Sequence, residues 1–270
     1  MGDAGDQNRA RRDREYLIDV TVPNAIRAAD FLDGGKDNFA ADREAVRAIT
    51  ASAPVIERIP AEVRAFRRRA ITYLVTEAGV RQFLVVGTGI VPPGTAHEVA
   101  QAIDPECRVV YTDSDPMVLS RAQAVISSAR PGTVSCVGGD ITEVDALVAS
   151  ALPVLNVSEP VAALVSALAH VPTVAAAAQA VSSLMAAVPS GSYAVLHHMA
   201  NDLDPTMPAA LRHWNKTASR PIALRSRADV LSLVSGLDLV PPGVVPVTEW
   251  RPDGAPAVPV PVHGVVARKP

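Results

Sequence analysis

Two groups of residues in this sequence have the types and spacing to do chemistry. Gly87-Thr88-Gly89 follows the apolar run "FLVV", and Asp113 stands 26 residues after Gly87. Paired glycines let a backbone turn sharply and approach a ligand closely, and an acid at the end of the next strand can accept hydrogen bonds from both hydroxyls of a ribose. His170, His197 and His198 form the second group. A neutral imidazole can take a proton from a hydroxyl or amine near neutral pH.

The glycine loop narrows the choice of ligand. A dinucleotide site needs a third glycine three residues after the second, so that helix and strand close around a pyrophosphate. Here that position is Pro92, followed by Pro93, and prolines have no N–H with which to cradle phosphate. No G-x-x-x-x-G-K-[ST] loop occurs either. A nucleoside without phosphates fits better, which points to S-adenosylmethionine. The same two features also suit a plain tight turn and an Asp that only caps a helix, and on spacing alone both readings stand.

The elements that would position these groups are legible from periodicity. "PAEVRAFRRRAITYLVTEAG" opens on Pro60 and closes on Gly79, with Val63, Phe66, Ala70, Ile71 and Leu74 on one helical face. Strand "QFLVV", a helix over 94–103, strand "RVVYT" and helix "DSDPMVLSRAQAVISSA" follow. Then come strand "TVSCVGGD", helix "ITEVDALVAS", a strand over 161–168, a helix over 173–187 and a strand over 192–197. Such alternation predicts an α/β fold: a doubly wound, mainly parallel sheet covered by helices on both sides. The capped helix "SRADVLSLVSG" and the Pro-rich segments 237–250 and 256–268 predict two closing strands with an antiparallel edge. Residues 1–60 read as a loose tail and a short helical segment folded over a domain spanning 61–270.

Composition sets the bounds. The chain has 270 residues, 49% of them hydrophobic, and a formal net charge of −3. That is enough for a sizeable core and gives no electrostatic reason to expect nucleic acid. Cys107 and Cys136 make no disulfide or metal framework and read as buried thiols of a reducing compartment. No paired ligands occur at metal spacing. From Pro160 to Asn201 there is no Asp, Glu, Lys or Arg, but Pro172, Pro189, Gly191 and several serines break the run, so a cytoplasmic protein without membrane spans is expected.

The strings "FLDGGKDNFAADREA", "GTG…HEVAQAIDP", "RVVYTDSDPMVL", "PSGSYAVLHH" and "PGVVPVTEWRP", in this order, resemble the actinobacterial S-adenosylmethionine-dependent methyltransferase family first catalogued as a domain of unknown function. The resemblance runs from about residue 20 to 252, and "GGKDNFAADR" is its most specific element. It implies a Rossmann-like methyltransferase fold and supplies no substrate; a small-molecule methyl acceptor is the separate expectation. It assigns the glycine loop to Gly87, Thr88 and Gly89, the ribose-binding acid to Asp113, and the adenine contacts to Asp140 and Ile141. Asp115 is either a further ligand contact or the cap of the next helix. Gly34, Gly35, Lys36, Asp37 and Asn38 look like a lid, although Asp37 or Asn38 could equally cap a helix.

The chain departs from that family in two places. The family usually reads "FLDIGTG", with an acid that supports the loop and the cofactor's amino-acid end; here the position is Val85. One lost charge-assisted hydrogen bond is worth about 1.5–3 kcal/mol, roughly ten- to a hundredfold in affinity. Lys36 or Arg43 could approach the cofactor carboxylate instead. After the fourth strand, "LAHVPTVAAAAQ" shifts His170 by one position and opens a helix that is apolar on most faces, which suggests a homodimer through 173–187. Adjacent His197 and His198 must point to opposite faces of a strand, so at most one meets substrate. Beside the methyltransferase reading stands a non-catalytic relative with weak or lost cofactor binding; an NAD-dependent oxidoreductase is disfavoured by Pro92.

Overall fold

The fold was analysed in a computed structural model, which describes residues 19–89, 94–126 and 133–270. The Pro92–Pro93 turn and the N-terminal tail through residue 18 lie outside the described residues. Helices α1 (Ala25–Leu32), α2 (Ala40–Ser52) and α3 (Ile59–Thr76) precede the sheet. There follow β1 (Gln82–Val86), α4 (Ala96–Ile103), β2 (Arg108–Asp113), α5 (Pro116–Val125), β3 (Val134–Gly138) and α6 (Val144–Ala151). The chain continues through β4 (Val161–Val165), α7 (Val174–Ala186), β5 (Tyr193–Met199), α8 (Met207–Trp214) and α9 (Arg227–Leu233). It closes with β6 (Asp238–Leu239), β7 (Val245–Pro246) and β8 (Val262–Arg268).

The sheet has the order β3-β2-β1-β4-β5-β8-β6, with β7 also on β8. β1 to β5 are parallel and β8 is antiparallel to β5, so the predicted doubly wound sheet with an antiparallel edge is what forms. Its strands alternate between two cores. Phe83 and Val85 of β1 pack with Phe66, Ile71 and Leu74 of α3, while Leu84 and Val86 join Ala177, Val181 and Leu184 of α7. Burial on both faces explains why β1 reads as an unbroken apolar run.

Chain order reverses at β1, which lies between β2 and β4, and that reversal opens a crevice beyond the strands' carboxyl ends. Two expectations change here. The strand predicted over 161–168 stops at Val165 and turns into a 3-10 helix, Ala167–His170. Helix 173–187 is not apolar all round. Its large side chains, Val181, Leu184 and Met185, are buried within the chain, and its exposed face is Ala175, Ala176, Gln179, Ser182 and Ala186. Among the described residues, no helix is long and apolar enough to cross a membrane.

Candidate active site

The reversal point holds a cavity of about 300 Å³. Gly87 and Gly89 form its floor with φ of 80° and 65°, a region an L side chain rarely occupies. Gly87 is also crowded: a Cβ there would lie 2.8 Å from Ala167 Cβ and 2.9 Å from Ala167 N. The loop is thus pressed against the segment leaving β4. Thr88 turns its hydroxyl onto the Thr112 carbonyl at 3.1 Å, and the Gly87 amide donates to the same carbonyl at 3.0 Å.

Asp113 ends β2 and is buried, yet it borders the cavity. Its Oδ2 accepts from the Gly89 amide at 3.1 Å and its Oδ1 from the Asp115 amide at 3.0 Å. Burial raises its pKa above the ordinary value against the pull of those amides. Each oxygen keeps a second lone pair, so an oriented carboxylate with spare acceptor capacity faces the crevice.

Asp115, Asp140 and Ile141 line the same cavity. Asp115 also caps α5, accepting from the Met117 amide at 2.9 Å, so both of its predicted roles are available to it. Asp140 lies below its ordinary pKa: burial alone would raise it, but hydrogen bonds from Thr142 and the Arg220 guanidinium outweigh that. Arg220 reaches Asp140 Oδ2 at 3.7 Å, and its Nη1 lies 3.5 Å from Ser114 Oγ.

The three histidines separate. His170 and His197 border the cavity; His198 does not. His198 faces the opposite side of the sheet, where its Nδ1–H donates to the Met199 carbonyl at 3.0 Å and its Nε2 accepts from Arg225. Arg225 is buried and also donates to the carbonyls of Leu168, Val171 and Thr173. Burial, with the Arg225 charge, pushes His198 down to about 4. It is a structural histidine, removed from the candidate catalytic set by strand alternation. His197 is pushed down to about 3, by burial first and the nearby Arg67 charge second. His170 donates Nδ1–H to the Pro221 carbonyl at 3.0 Å, which leaves Nε2 as the free acceptor of the neutral ring; burial lowers its pKa as well. His97, in α4, lies beneath the loop, its amide on the Tyr111 hydroxyl at 3.0 Å.

The lid string does not reach the cavity. Lys36, Asp37 and Asn38 border a separate hollow with Phe39, Met117 and Arg121, and Asp37 pairs with Arg121 at 3.0 Å. Gly34 and Gly35 make the turn, Gly34 at φ 76° and Gly35 packed onto the Asp30 carboxylate. Asn38 donates to Asp30 at 2.8 Å and receives Arg43 at 3.0 Å. Asp42, fully buried, takes Arg27 and the amides of Asn24 and Phe39. The string is therefore a hydrogen-bonded frame for α1 and α2. It is α1 and the residues that flank it that wall the crevice, through Asn24, Ile26, Ala29, Asp30 and Asp33.

Among the polar lining residues not foreseen are Arg64, Arg67, Ser166 and Arg220. The Ser166 hydroxyl is buried without a partner. Arg67 had a signal, for it shares a helical face with Val63, Ala70, Ile71 and Leu74. An adenosyl group suits this site: glycines without Cβ, an oriented carboxylate, the apolar Ile141 and an orphaned hydroxyl all converge on one cavity.

The family model for S-adenosyl methyltransferases matches residues 11–270. A DUF574-family protein from Streptomyces avermitilis is 33% identical with a TM-score of 0.87, covering 94% of this chain and 100% of its own. A candidate methyltransferase from Thermobifida fusca is 28% identical with a TM-score of 0.84, covering 93% and 96%. At the level of fold alone, a structure of PigF with SAH matches at 14% identity and a TM-score of 0.52, covering 90% of this chain and 62% of that one. No curated protein gives a significant match.

Proposed function

This chain belongs to the S-adenosyl methyltransferase family, whose cofactor is S-adenosylmethionine, and from that premise we propose that it methylates a small-molecule acceptor held in the crevice beyond β1 and β4. One observation carries the reading: the nucleoside-facing residues Gly87, Gly89, Asp113, Asp140 and Ile141 share a single cavity with His170 and His197. When bound, S-adenosylmethionine supplies an electrophilic methyl group on a sulfonium.

The chain's own residues then do three things. The glycine loop admits the ligand backbone-close, and Asp113 accepts its ribose hydroxyls. Asp140 and Ile141 offer an acceptor and an apolar surface to the base. At the other end, alignment of the acceptor within the walls of α1 and α3 contributes most; such positioning is worth up to roughly 7–11 kcal/mol of a barrier. His170 takes the acceptor's proton at Nε2, because its Nδ1–H is fixed on Pro221. His197, pushed down to about 3, holds a proton too weakly for that task and serves as a neutral wall.

Val85 supports the non-catalytic reading, since a fully buried apolar residue stands where the family's acid would support the loop. Incubation with methyl-labelled S-adenosylmethionine and a panel of hydroxyl- and amine-bearing small molecules separates the two. Acceptor-dependent S-adenosylhomocysteine formation, lost in Asp113→Ala, is the expected result. Weak or absent cofactor binding together with no turnover across the panel would favour the non-catalytic reading.

A further inference from the structure

Helix α3 carries four arginines within two turns: Arg64, Arg67, Arg68 and Arg69. Three are matched. Arg64 pairs with Asp33, Arg68 with Asp253 at 2.8 Å, and Arg69 donates to the carbonyls of Trp250 at 3.0 Å and Val247 at 2.6 Å. Arg67 makes no hydrogen bond or ion pair among the described residues, although it is part-buried. It borders the crevice and also the small hollow behind the glycine loop formed with Thr88, Gly94, Thr95 and Tyr111.

A guanidinium drawn out of water without a partner is costly, and it stays charged because its pKa is so high. Burial pushes Arg67 below its ordinary value; a guanidinium nonetheless keeps its proton in proteins. Among the described residues, nothing nearby neutralises it. Val85 of β1 is apolar and fully buried, and the Tyr111 hydroxyl is already engaged with His97. The other two cations that could have served are elsewhere: Lys36 borders the separate hollow and Arg43 is bound to Asn38.

We infer that Arg67 receives the carboxylate of the cofactor's amino-acid end, so that this chain reads that end through its carboxylate where relatives use an acid at the position of Val85. The inference rests on the cofactor reading proposed above. An amino-acid tail leaving a ribose held by Asp113 passes over Thr88, and Arg67 is the unmatched cation on that path. The pairing is charge-assisted and can be bidentate, which offsets the missing acid.

The test compares two ligands by calorimetry: S-adenosylhomocysteine and its decarboxylated analogue, which keeps the ammonium and lacks the carboxylate. Wild type should prefer S-adenosylhomocysteine by about ten- to a hundredfold, the worth of one charge-assisted hydrogen-bonded pair. Arg67→Met should erase that preference while leaving the analogue's affinity unchanged or better, and Arg67→Lys should restore part of it. The ligand-free Arg67→Met protein should melt no lower than wild type, since it loses an unmatched charge. An undiminished preference in Arg67→Met, or equal weakening of both ligands, overturns the inference while Asp113→Ala still abolishes binding of both. Absence of binding by wild type to either ligand overturns the cofactor reading itself, and the inference with it.

Discussion

Two glycines two positions apart, Gly87 and Gly89, offer a controlled perturbation of the site. Both have φ in the left-handed region, 80° and 65°, so alanine at either costs about 1–2 kcal/mol in backbone strain. Their surroundings differ. A Cβ on Gly89 would meet nothing within 4 Å, whereas one on Gly87 would lie 2.8 Å from Ala167 Cβ and 2.9 Å from Ala167 N. Carbon atoms rest at about 3.5–4.0 Å, so the Gly87 variant must push the post-β4 segment away. Overpacking of this kind costs about 1–3 kcal/mol. Gly89→Ala should therefore destabilise by about 1–2 kcal/mol and Gly87→Ala by about 2–5 kcal/mol. Changes in the unfolded chain are common to both and cancel in the difference. Urea denaturation reads the difference as a midpoint lower by roughly 0.3–1.5 M for Gly87→Ala, given slopes of about 2–3 kcal/mol/M for a chain of this size. Equal midpoints, or a greater loss in Gly89→Ala, would refute the claim that the loop is pressed onto Ala167.

Acid should weaken the fold through His198: its folded pKa is about 4 against 6.5 ordinarily, so between those values the unfolded state binds the extra proton and stability falls as pH falls. At about 1.4 kcal/mol per pH unit this amounts to about 3 kcal/mol, and His198→Gln, which can still accept from Arg225, should show a visibly flatter decline of melting temperature from pH 7 to pH 4.5; parallel declines would exclude His198 as a source. His170→Ala should lower kcat by about 10²- to 10⁴-fold for a hydroxyl acceptor and leave the affinity for S-adenosylhomocysteine nearly unchanged. Because burial holds His170 below its usual pKa, the half-point of the acid limb of the wild-type rate should lie below pH 6.5; a half-point at pH 7 or above would assign the base elsewhere.

Much of the fold was legible because burial writes it into the residues. "QFLVV" became β1 at its full length, since a strand covered on both faces has no polar alternation to confuse it. The turn at Gly87 and the acid Asp113 were legible for a similar reason: each sits at a strand end, where the chain must reverse onto a helix. Other parts were not. Helix α8, Met207–Trp214, escaped notice because a Pro inside its first turn and a run of polar residues around it hide its one buried face, Met207, Ala210, Leu211 and Trp214. The string "GGKDNFAADR" stood out as a lid, yet its polar groups are hydrogen-bonded to one another, and the crevice is walled by the less conspicuous "NAIRAADFL" before it. Arg67 was hidden in plain sight among four arginines. Spacing gives a helix its phase, but which arginine finds a carboxylate depends on partners as distant in sequence as Asp33 and Asp253.

The central claim is that the crevice beyond β1 and β2 is built for an adenosyl cofactor anchored by Asp113. Calorimetric titration of the purified protein with S-adenosylhomocysteine, beside Asp113→Ala, tests it most directly. Asp113 would accept two charge-assisted hydrogen bonds from the ribose hydroxyls, each worth about 1.5–3 kcal/mol, so binding should weaken by about a hundredfold or more in the variant. Wild type that gives no heat at two temperatures up to millimolar ligand, or a variant that binds as tightly as wild type, would contradict the account.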